Sequence, residues 1–184
     1  MVSMTALRPA LFFDRDGIVN RSPGPGYVLR IEDFHLLPEF IDAMKVARRK
    51  GWPAIIITNQ RGVGKGLMTA ADLESLHAHL RKELARVDLA LLDIYSATAR
   101  DRSDPLLKPQ PGMLLAAAAR HRLDLAASWM IGDSERDIEA GRRAGCHTLF
   151  VGPDDPLAAT RAEFRLERLS DLAPFLERML PAAG

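Results

Sequence analysis

Two aspartates near the N-terminus are the residues of this chain best suited to chemistry. Asp14 and Asp16 follow the apolar run 10–13, and Gly17 comes directly after them. Residues two apart in an extended segment face the same side, so the strand would bring both carboxylates to one place. Two like charges at that distance raise each other's pKa unless a cation lies between them. The pair indicates a site for Mg²⁺, which prefers oxygen ligands; the simple alternative is that Asp and Gly only begin a turn.

The elements that would position these side chains follow an alternating pattern along the chain. Short apolar runs alternate with longer helical patterns, which is typical of parallel strands joined by crossover helices. The expected strands cover residues 10–14, 54–57, 91–97, 128–131 and 146–151, with a short extended piece at 164–166. The expected helices begin near Pro38, Thr69, Pro111, Ser134 and Ser170, and Gly51 and Gly145 are placed to end two of them. The pattern predicts an α/β fold, a three-layer Rossmann-like sandwich with a mainly parallel central sheet, in one domain spanning residues 1–184.

Composition excludes several classes of function. With 25 basic and 24 acidic side chains the formal charge is +1, so the chain offers no overall field for nucleic acid or an anionic membrane. No apolar run approaches the roughly 20 residues that span a bilayer. The single Cys146 cannot form an internal disulfide and is expected in the core, which favours a reducing, cytoplasmic setting. His77 and His79 are two apart on an expected helix, and we expect both at the surface.

Polar residues lie at the carboxyl ends of four expected strands or in the loops that follow them. Open parallel sheets bind ligands at this edge. These polar positions are Asp14 and Asp16, Thr58 and Asn59, the loop leading to Lys108, and Asp133. Asp137 follows Asp133 by four residues at a helix start, so the two share a face, and Asp137 either ligates a metal or orients Asp133. Taken singly, each has a simpler role: Asp137 fits a capping box with Ser134, and Lys108 could be a solvated surface lysine. Their position at one sheet edge favours a shared site.

Four sequence blocks carry a resemblance to a known family. They are Phe12–Gly17, Ile57–Gln60, Lys108–Gly112 and Ile131–Asp137. Together they resemble the four motifs of the haloacid dehalogenase-like superfamily over roughly residues 10 to 150. The Asp-Arg-Asp-Gly start, Tyr27-Val28, Thr-Asn-Gln and Lys-Pro-x-Pro-Gly-Met resemble its D-glycero-D-manno-heptose bisphosphate and histidinol-phosphate phosphatase branch.

The resemblance implies a role for each site residue. Asp14 would attack phosphorus to form an aspartyl-phosphate, and Asp16 would act as general acid and base. Mg²⁺ would be held by Asp14, the backbone carbonyl of Asp16 and Asp133, with Asp137 ligating or supporting. The residues implied to hold the substrate and its phosphoryl group are Thr58, Asn59, Lys108, Asn20 and Arg61, of which Asn20 would orient either Asp16 or the substrate. Because Asp stands at position 16, where ATPases of the superfamily carry Thr, hydrolysis is implied.

The implied enzyme is an Mg²⁺-dependent phosphomonoester hydrolase of a small phosphorylated metabolite, such as D-glycero-D-manno-heptose 1,7-bisphosphate. Histidinol phosphate and nucleotides are the alternative substrates. The short gaps between the motifs leave no room for a cap domain. The site would therefore lack a domain above it and would be covered by the flap 21–35. Residues Thr98–Leu107 contain no Cys or His, so no zinc is expected, unlike in many members of the branch. Leu107 stands where the heptose phosphatases tend to have Arg.

Two further expectations remain open. Arg61, Lys65, Arg100 and Arg102 lie in loops at the same sheet edge and could contact a second anionic group. A function of another class is a phospho-accepting receiver domain, which also combines acids, a hydroxyl residue and a lysine on a parallel sheet. Receivers carry the acceptor at the end of strand three, where this chain has residues 96–98 and no carboxylate. Nothing in the sequence indicates an oligomeric state.

Overall fold

Six parallel strands form the sheet that organises the protein. The computed structural model describes residues 7–153 and 161–182. Strands β1 to β6 cover Leu11–Phe13, Ala54–Asn59, Asp93–Ala97, Trp129–Gly132, His147–Val151 and Phe164–Leu166. Their order across the sheet is β3-β2-β1-β4-β5-β6, and every neighbouring pair is parallel. The predicted α/β class is confirmed, and the short extended piece at 164–166 is a true edge strand.

Helices within the described residues lie between these strands, and one follows β6. Helices α1 to α6 cover Pro38–Lys50, Arg61–Gly64, Ala70–Ala85, Gly112–His121, Glu135–Ala144 and Leu172–Met179. Gly51 and Gly145 end α1 and α5 as predicted. Thr69 caps α3 by exchanging hydrogen bonds with Asp72. The one-turn helix α2 was not expected, and α6 begins later than predicted because a 3₁₀ turn, Leu169–Asp171, precedes it.

Alternation along the strands divides the core into layers. In β1, Leu11 and Phe13 pack into a cluster that includes residues of α1, α3 and α6. Phe12 lies in the opposite cluster, with residues of α4 and α5. Full burial of such side chains stabilises the fold by about 1.5–3 kcal/mol each, so both faces of the sheet are held by their helices. This arrangement confirms the three-layer sandwich.

One histidine does not lie where the sequence analysis placed it. His77 is 6% exposed, because α3 turns it to the core beside Leu73, Leu76 and Leu80. The expectation that His77 is a surface residue was therefore wrong. Cys146 is buried among core residues, as predicted. Within the described ranges, no helix combines the length and the apolar character needed to cross a bilayer.

The connection between β1 and α1 forms the expected flap. Its only regular structure is the 3₁₀ turn Ile31–Asp33. Backbone hydrogen bonds close its base, from the Arg21 N–H to the His35 carbonyl at 2.9 Å and from the Leu37 N–H to the Val19 carbonyl at 3.0 Å. The flap is therefore held at its base next to the carboxyl end of β1, and no folded cap lies between these two elements.

Candidate active site

A cavity of about 460 Å³ lies where β1, β2 and β4 end. Its floor and walls are formed by Asp14, Asp16, Thr58, Asn59, Lys108, Asp133 and Asp137, by the flap residues Ser22–Tyr27, and by Arg61, Ser134 and Arg136. Because neighbouring parallel strands end at the same sheet edge, side chains far apart in sequence meet here. The structure thus brings together every predicted site residue except Asn20.

Three carboxylates converge at the floor of the cavity. Asp14, Asp133 and Asp137, which we call the acidic cluster, each offer one oxygen, and these oxygens lie within 4.8 Å of one another. The Lys108 Nζ lies 2.6 Å from Asp14 Oδ1 and 2.7 Å from Asp137 Oδ1. It also donates to the Ile57 carbonyl oxygen at 2.7 Å. Lys108 is 3% exposed, so it is part of the site and not a solvated surface lysine.

The charges of the acidic cluster are only partly neutralised by the protein. Burial raises the pKa of Asp14 to about 6, the charge of Asp137 adds to this, and Lys108 opposes it. Burial likewise raises the pKa of Asp133 to about 7, with contributions from Asp14 and Asp137. Burial disfavours the charged form of Lys108, but the carboxylates of Asp137 and Asp14 outweigh it and raise the pKa of this lysine. Three acids sharing one ammonium group fit a divalent cation with oxygen ligands.

Gly17 allows Asp133 to approach the end of β1. Its φ of +99° lies in the region that favours glycine, and a Cβ at this position would collide with the Asp133 carboxylate. The glycine that follows Asp16 in the sequence is therefore needed for the geometry of a residue more than a hundred positions away.

Asp137 both caps helix α5 and belongs to the acidic cluster. Its Oδ2 accepts hydrogen bonds from the Ser134 N–H at 3.1 Å and from the Ser134 hydroxyl at 2.6 Å, as in a capping box. Its Oδ1 pairs with Lys108. Asp137 is 1% exposed, so the helix cap fixes a buried carboxylate behind Asp14 and Lys108.

Asp16 has a different environment, which we call the Asp16 cradle and which consists of Arg15, Asn20 and Gln60. The buried Arg15 donates to both carboxylate oxygens, from Nη2 at 2.8 and 2.9 Å and from Nε at 3.1 Å. Asn20 Nδ2 donates to Oδ1 at 2.9 Å and Gln60 Nε2 to Oδ2 at 3.2 Å. The protein itself therefore matches the charge of Asp16, so the Asp14–Asp16 pair alone does not indicate a metal, contrary to the expectation from the sequence.

Asn20 and Asn59 form hydrogen bonds to other residues of the site, Asp16 and Lys108. Asn20 is fully buried, does not line the cavity and donates to Asp16, so of its two expected roles the geometry favours orienting Asp16. The Asn59 side chain donates to the Lys108 carbonyl at 3.0 Å and accepts from the Lys108 N–H at 2.9 Å. This amide group holds the lysine loop against β2, which is a different task from holding a phosphoryl oxygen.

Thr58 and Arg61 both line the cavity. The Thr58 hydroxyl oxygen accepts from Gln60 Nε2 at 2.8 Å, so its own hydrogen remains available as a donor. Arg61 Nη2 donates to the Arg100 carbonyl at 3.1 Å. The other loop cations do not line the cavity: Lys65 lies over the Tyr27 ring at 5.3 Å, and neither Arg100 nor Arg102 contributes to the wall.

Sequence reasoning missed the residues that support Asp16 and part of the cavity wall. Arg15 stands between the two acids and Gln60 follows Asn59 in the second block, and neither position alone predicts a contact with Asp16. Arg136 lies between Asp133 and Asp137, and its position in the sequence does not show that it lines the cavity. Leu107, the residue before Lys108, is buried among core side chains and does not face the cavity.

Comparisons with known proteins agree with this geometry. A family model described as "HAD-hyrolase-like" matches residues 106–170. The D-glycero-alpha-D-manno-heptose-1,7-bisphosphate 7-phosphatase of Burkholderia mallei is 35% identical, over 95% of this chain and 97% of the relative. The D-glycero-beta-D-manno-heptose-1,7-bisphosphate 7-phosphatase of Escherichia coli K12 is 33% identical, over 92% of this chain and 94% of the relative.

A solved structure gives the same result for the fold. The crystal structure of D,D-heptose 1,7-bisphosphate phosphatase from B. bronchiseptica, complexed with magnesium and phosphate, matches with a TM-score of 0.82. The sequences are 27% identical, and the match covers 92% of this chain and 98% of that one. The chain therefore belongs to the haloacid dehalogenase-like superfamily, in its histidinol-phosphate and D-glycero-D-manno-heptose bisphosphate phosphatase branch, and it is a phosphatase.

Proposed function

We propose that this phosphatase hydrolyses a phosphate monoester of a small phosphorylated sugar with Mg²⁺ as cofactor. The observation that carries the proposal is the Asp14 carboxylate, which faces the cavity and is bonded to the buried Lys108 beside Asp133 and Asp137. D-glycero-D-manno-heptose 1,7-bisphosphate is the first substrate to test, because the relatives are named for it. Histidinol phosphate and nucleotides belong in the same screen.

The reaction would proceed in two displacements at phosphorus. A carboxylate oxygen of Asp14 attacks phosphorus, and the bond from phosphorus to the ester oxygen breaks. The departing oxygen keeps the electron pair of that bond and receives a proton from Asp16. Water then attacks the aspartyl-phosphate, gives a proton to Asp16 and displaces the Asp14 oxygen, releasing inorganic phosphate. Covalent catalysis of this kind divides one difficult step into two easier ones. Acid–base help from a positioned side chain contributes about 10²- to 10⁴-fold.

The remaining side chains would bind and orient the phosphoryl group. Lys108 is within reach of Asp14, so its ammonium group can neutralise charge that develops on the transferring group. Thr58 has a hydroxyl hydrogen to donate from the end of β2. Mg²⁺, held by Asp14, Asp133 and the backbone carbonyl of Asp16 with Asp137 in support, would reduce the repulsion between the anionic ester and the carboxylates.

Several expectations from the sequence stay as predictions of this proposal. They are a single catalytic domain over residues 1–184, a site without zinc, a cytoplasmic location, and no nucleic-acid or membrane partner. The alternative of a receiver domain has no support, since β3 ends at Ala97 and residues 96–98 at its end carry no carboxylate.

The experiment is hydrolysis of an aryl phosphate with Mg²⁺ by the wild type and by Asp14→Asn. We expect the variant to lose at least about 10³-fold in kcat, since the attacking atom is removed. Asp42→Asn is the matched control, because Asp42 is exposed and pairs with the exposed Lys45. Circular dichroism checks that Asp14→Asn folds. Turnover by a folded Asp14→Asn at the wild-type rate would sink the mechanism.

A further inference from the structure

We propose that Arg61 and Arg136 form a second anion subsite in the active-site cavity. The subsite would select esters whose leaving alcohol carries a second anionic group, either a phosphate or a carboxylate. The inference rests on the proposed function, because it assumes that the reacting phosphoryl group lies at Asp14. The two arginines would then be specificity-determining residues for that reaction.

The sheet order places the two arginines on opposite sides of Asp14. Arg61 follows β2 and Arg136 follows β4, while β1, which ends at Asp14, lies between these strands. Neighbouring strands lie about 4.8 Å apart, so β2 and β4 are separated by about twice that distance. Both arginines line the cavity that contains Asp14. A substrate whose phosphoryl group lies at the end of β1 would thus extend between two guanidinium groups.

Arg61 is held in place by its surroundings. Its Nη2 donates to the Arg100 carbonyl oxygen at 3.1 Å. Its helix α2 packs so tightly against residues 98–100 that a Cβ on Gly64 would collide with the Thr98 carbonyl oxygen. Nε has no hydrogen-bond partner within the described residues. Since a guanidinium group carries five N–H donors, the anchored Arg61 retains donors for an anion at little further cost in side-chain entropy.

Arg136 occupies a position that is unfavourable for a cation. It is the second residue of α5, and a positive charge at a helix N-terminus opposes the helix dipole by about 0.3–1 kcal/mol. Its acidic neighbour Glu135 pairs with Arg161 at 3.0 Å, and Arg136 itself makes no ion pair in the part of the chain that the structure describes. A cation that faces the cavity from such a position suits a role in binding an anion, since locally unfavourable residues gather at functional sites.

The other cations near the cavity already have tasks. Lys108 bridges Asp14 and Asp137, and Arg15 is engaged with Asp16. Position 107, next to the catalytic lysine, holds a buried leucine that brings no charge to the cavity. Among the residues that line the cavity, Arg61 and Arg136 are therefore the cations available to the part of the substrate beyond the reacting phosphoryl group.

The test compares matched esters that differ only in the second anion. One pair is D-glycero-D-manno-heptose 1,7-bisphosphate and D-glycero-D-manno-heptose 7-phosphate, and the other is 3-phosphoglycerate and glycerol 3-phosphate. The first pair reports a second phosphate and the second pair reports a carboxylate. kcat/KM is measured for each ester with the wild type, Arg61→Gln, Arg136→Gln, the double variant and Arg102→Gln. Arg102 is exposed and lies outside the cavity wall, which makes it the control.

We expect the wild type to prefer the bis-anionic ester of at least one pair. Arg61→Gln and Arg136→Gln should each reduce that preference by about tenfold or more, as for loss of a hydrogen bond to a charged group. The double variant should reduce it by more than either single variant. Arg102→Gln should leave it unchanged. The ratio compares two esters on one protein sample, so partial unfolding cannot alter it. If neither ester of the carboxylate pair is hydrolysed, the bisphosphate pair alone must show the preference.

Two results would overturn the subsite. One is an active wild type with no preference within either pair, and the other is a preference that Arg61→Gln and Arg136→Gln leave intact. A wild type that hydrolyses no ester, the aryl phosphate included, would overturn the proposed function together with the subsite. The aryl phosphate assay thus separates failure of the subsite from failure of the phosphatase mechanism.

Discussion

Asp14 and Asp16 lie two residues apart, yet their carboxylates meet opposite surroundings. Asp14 belongs to the acidic cluster, in which three carboxylates share the single ammonium group of Lys108. Asp16 lies in its cradle, where one carboxylate faces a guanidinium group and two amides. The first region has more negative charge than the protein neutralises, whereas in the second the charges match. The need for a divalent cation is therefore a property of the acidic cluster and not of the two neighbouring acids.

The largest effect is expected where the charge imbalance is greatest. Lys108→Met removes the ammonium group that contacts Asp14 and Asp137, and we expect kcat to fall by about 10²- to 10³-fold. Without Mg²⁺ the variant should also unfold about 3–5 kcal/mol more easily, because two buried carboxylates lose their partner. Steady-state kinetics and chemical denaturation measure the two effects. Lys45→Met, which changes an exposed pair with Asp42, should alter neither; wild-type kcat in Lys108→Met would contradict the comparison.

A smaller effect is expected in the Asp16 cradle, because several side chains donate hydrogen bonds to the Asp16 carboxylate. Asn20→Ala leaves Asp16 with Arg15 and Gln60, so we expect kcat to fall by about tenfold, as for one lost hydrogen bond to a charged group. KM should change little, since Asn20 is buried and does not line the cavity. Gln110→Ala, outside the cradle, is the control. A raised KM with unchanged kcat would mean that Asn20 acts on the substrate after all.

The smallest effect concerns His77, a buried residue outside both regions whose pKa the charge of Arg15 helps to lower. Burial, together with the charges of Arg15 and Arg81, lowers the pKa of His77 to about 4. Below its ordinary pKa the unfolded chain binds a proton at this histidine and the folded chain does not, so its contribution to stability falls as pH decreases. From pH 7 to pH 5.5 this should lower the free energy of unfolding by about 1 kcal/mol.

Denaturation of the wild type and of His77→Leu at the two pH values measures this effect. The two proteins share all other titrating groups, so the wild type should lose about 1 kcal/mol more than the variant on acidification. His35→Leu, at an exposed position, should behave as the wild type does. Equal losses in the wild type and in His77→Leu would show that folding does not lower the pKa of His77.

Much of the fold followed from local patterns in the sequence. The apolar runs predicted the first five strands, and Gly51, Gly145 and Thr69 marked helix ends by their own backbone or capping chemistry. His77 was misplaced because its helix buries a wider face than the spacing of the two histidines suggested. Such errors arise where tertiary packing decides which face of an element is buried.

The sequence predicted the site residues that lie at the ends of strands, but not the side chains that contact them. Parallel topology brings Asp14, Thr58 and Asp133 to one edge whatever their rotamers, and so these residues could be named in advance. The cradle could not, because the contact of Arg15 and Asn20 with Asp16 depends on the turn that follows β1 and on side-chain directions. Arg136 was missed for a related reason: its role depends on which way the first turn of α5 faces.

The most direct test of the central claim is calorimetric titration of Mg²⁺ into the wild type, Asp133→Asn and Asp16→Asn. The acidic cluster predicts one Mg²⁺ site in the wild type and at least about tenfold weaker binding in Asp133→Asn. Asp16→Asn should bind within about threefold of the wild type, since the charge of that side chain is matched by its cradle. Equal losses in the two variants, or a wild type that binds no Mg²⁺, would contradict the distinction between the two carboxylates.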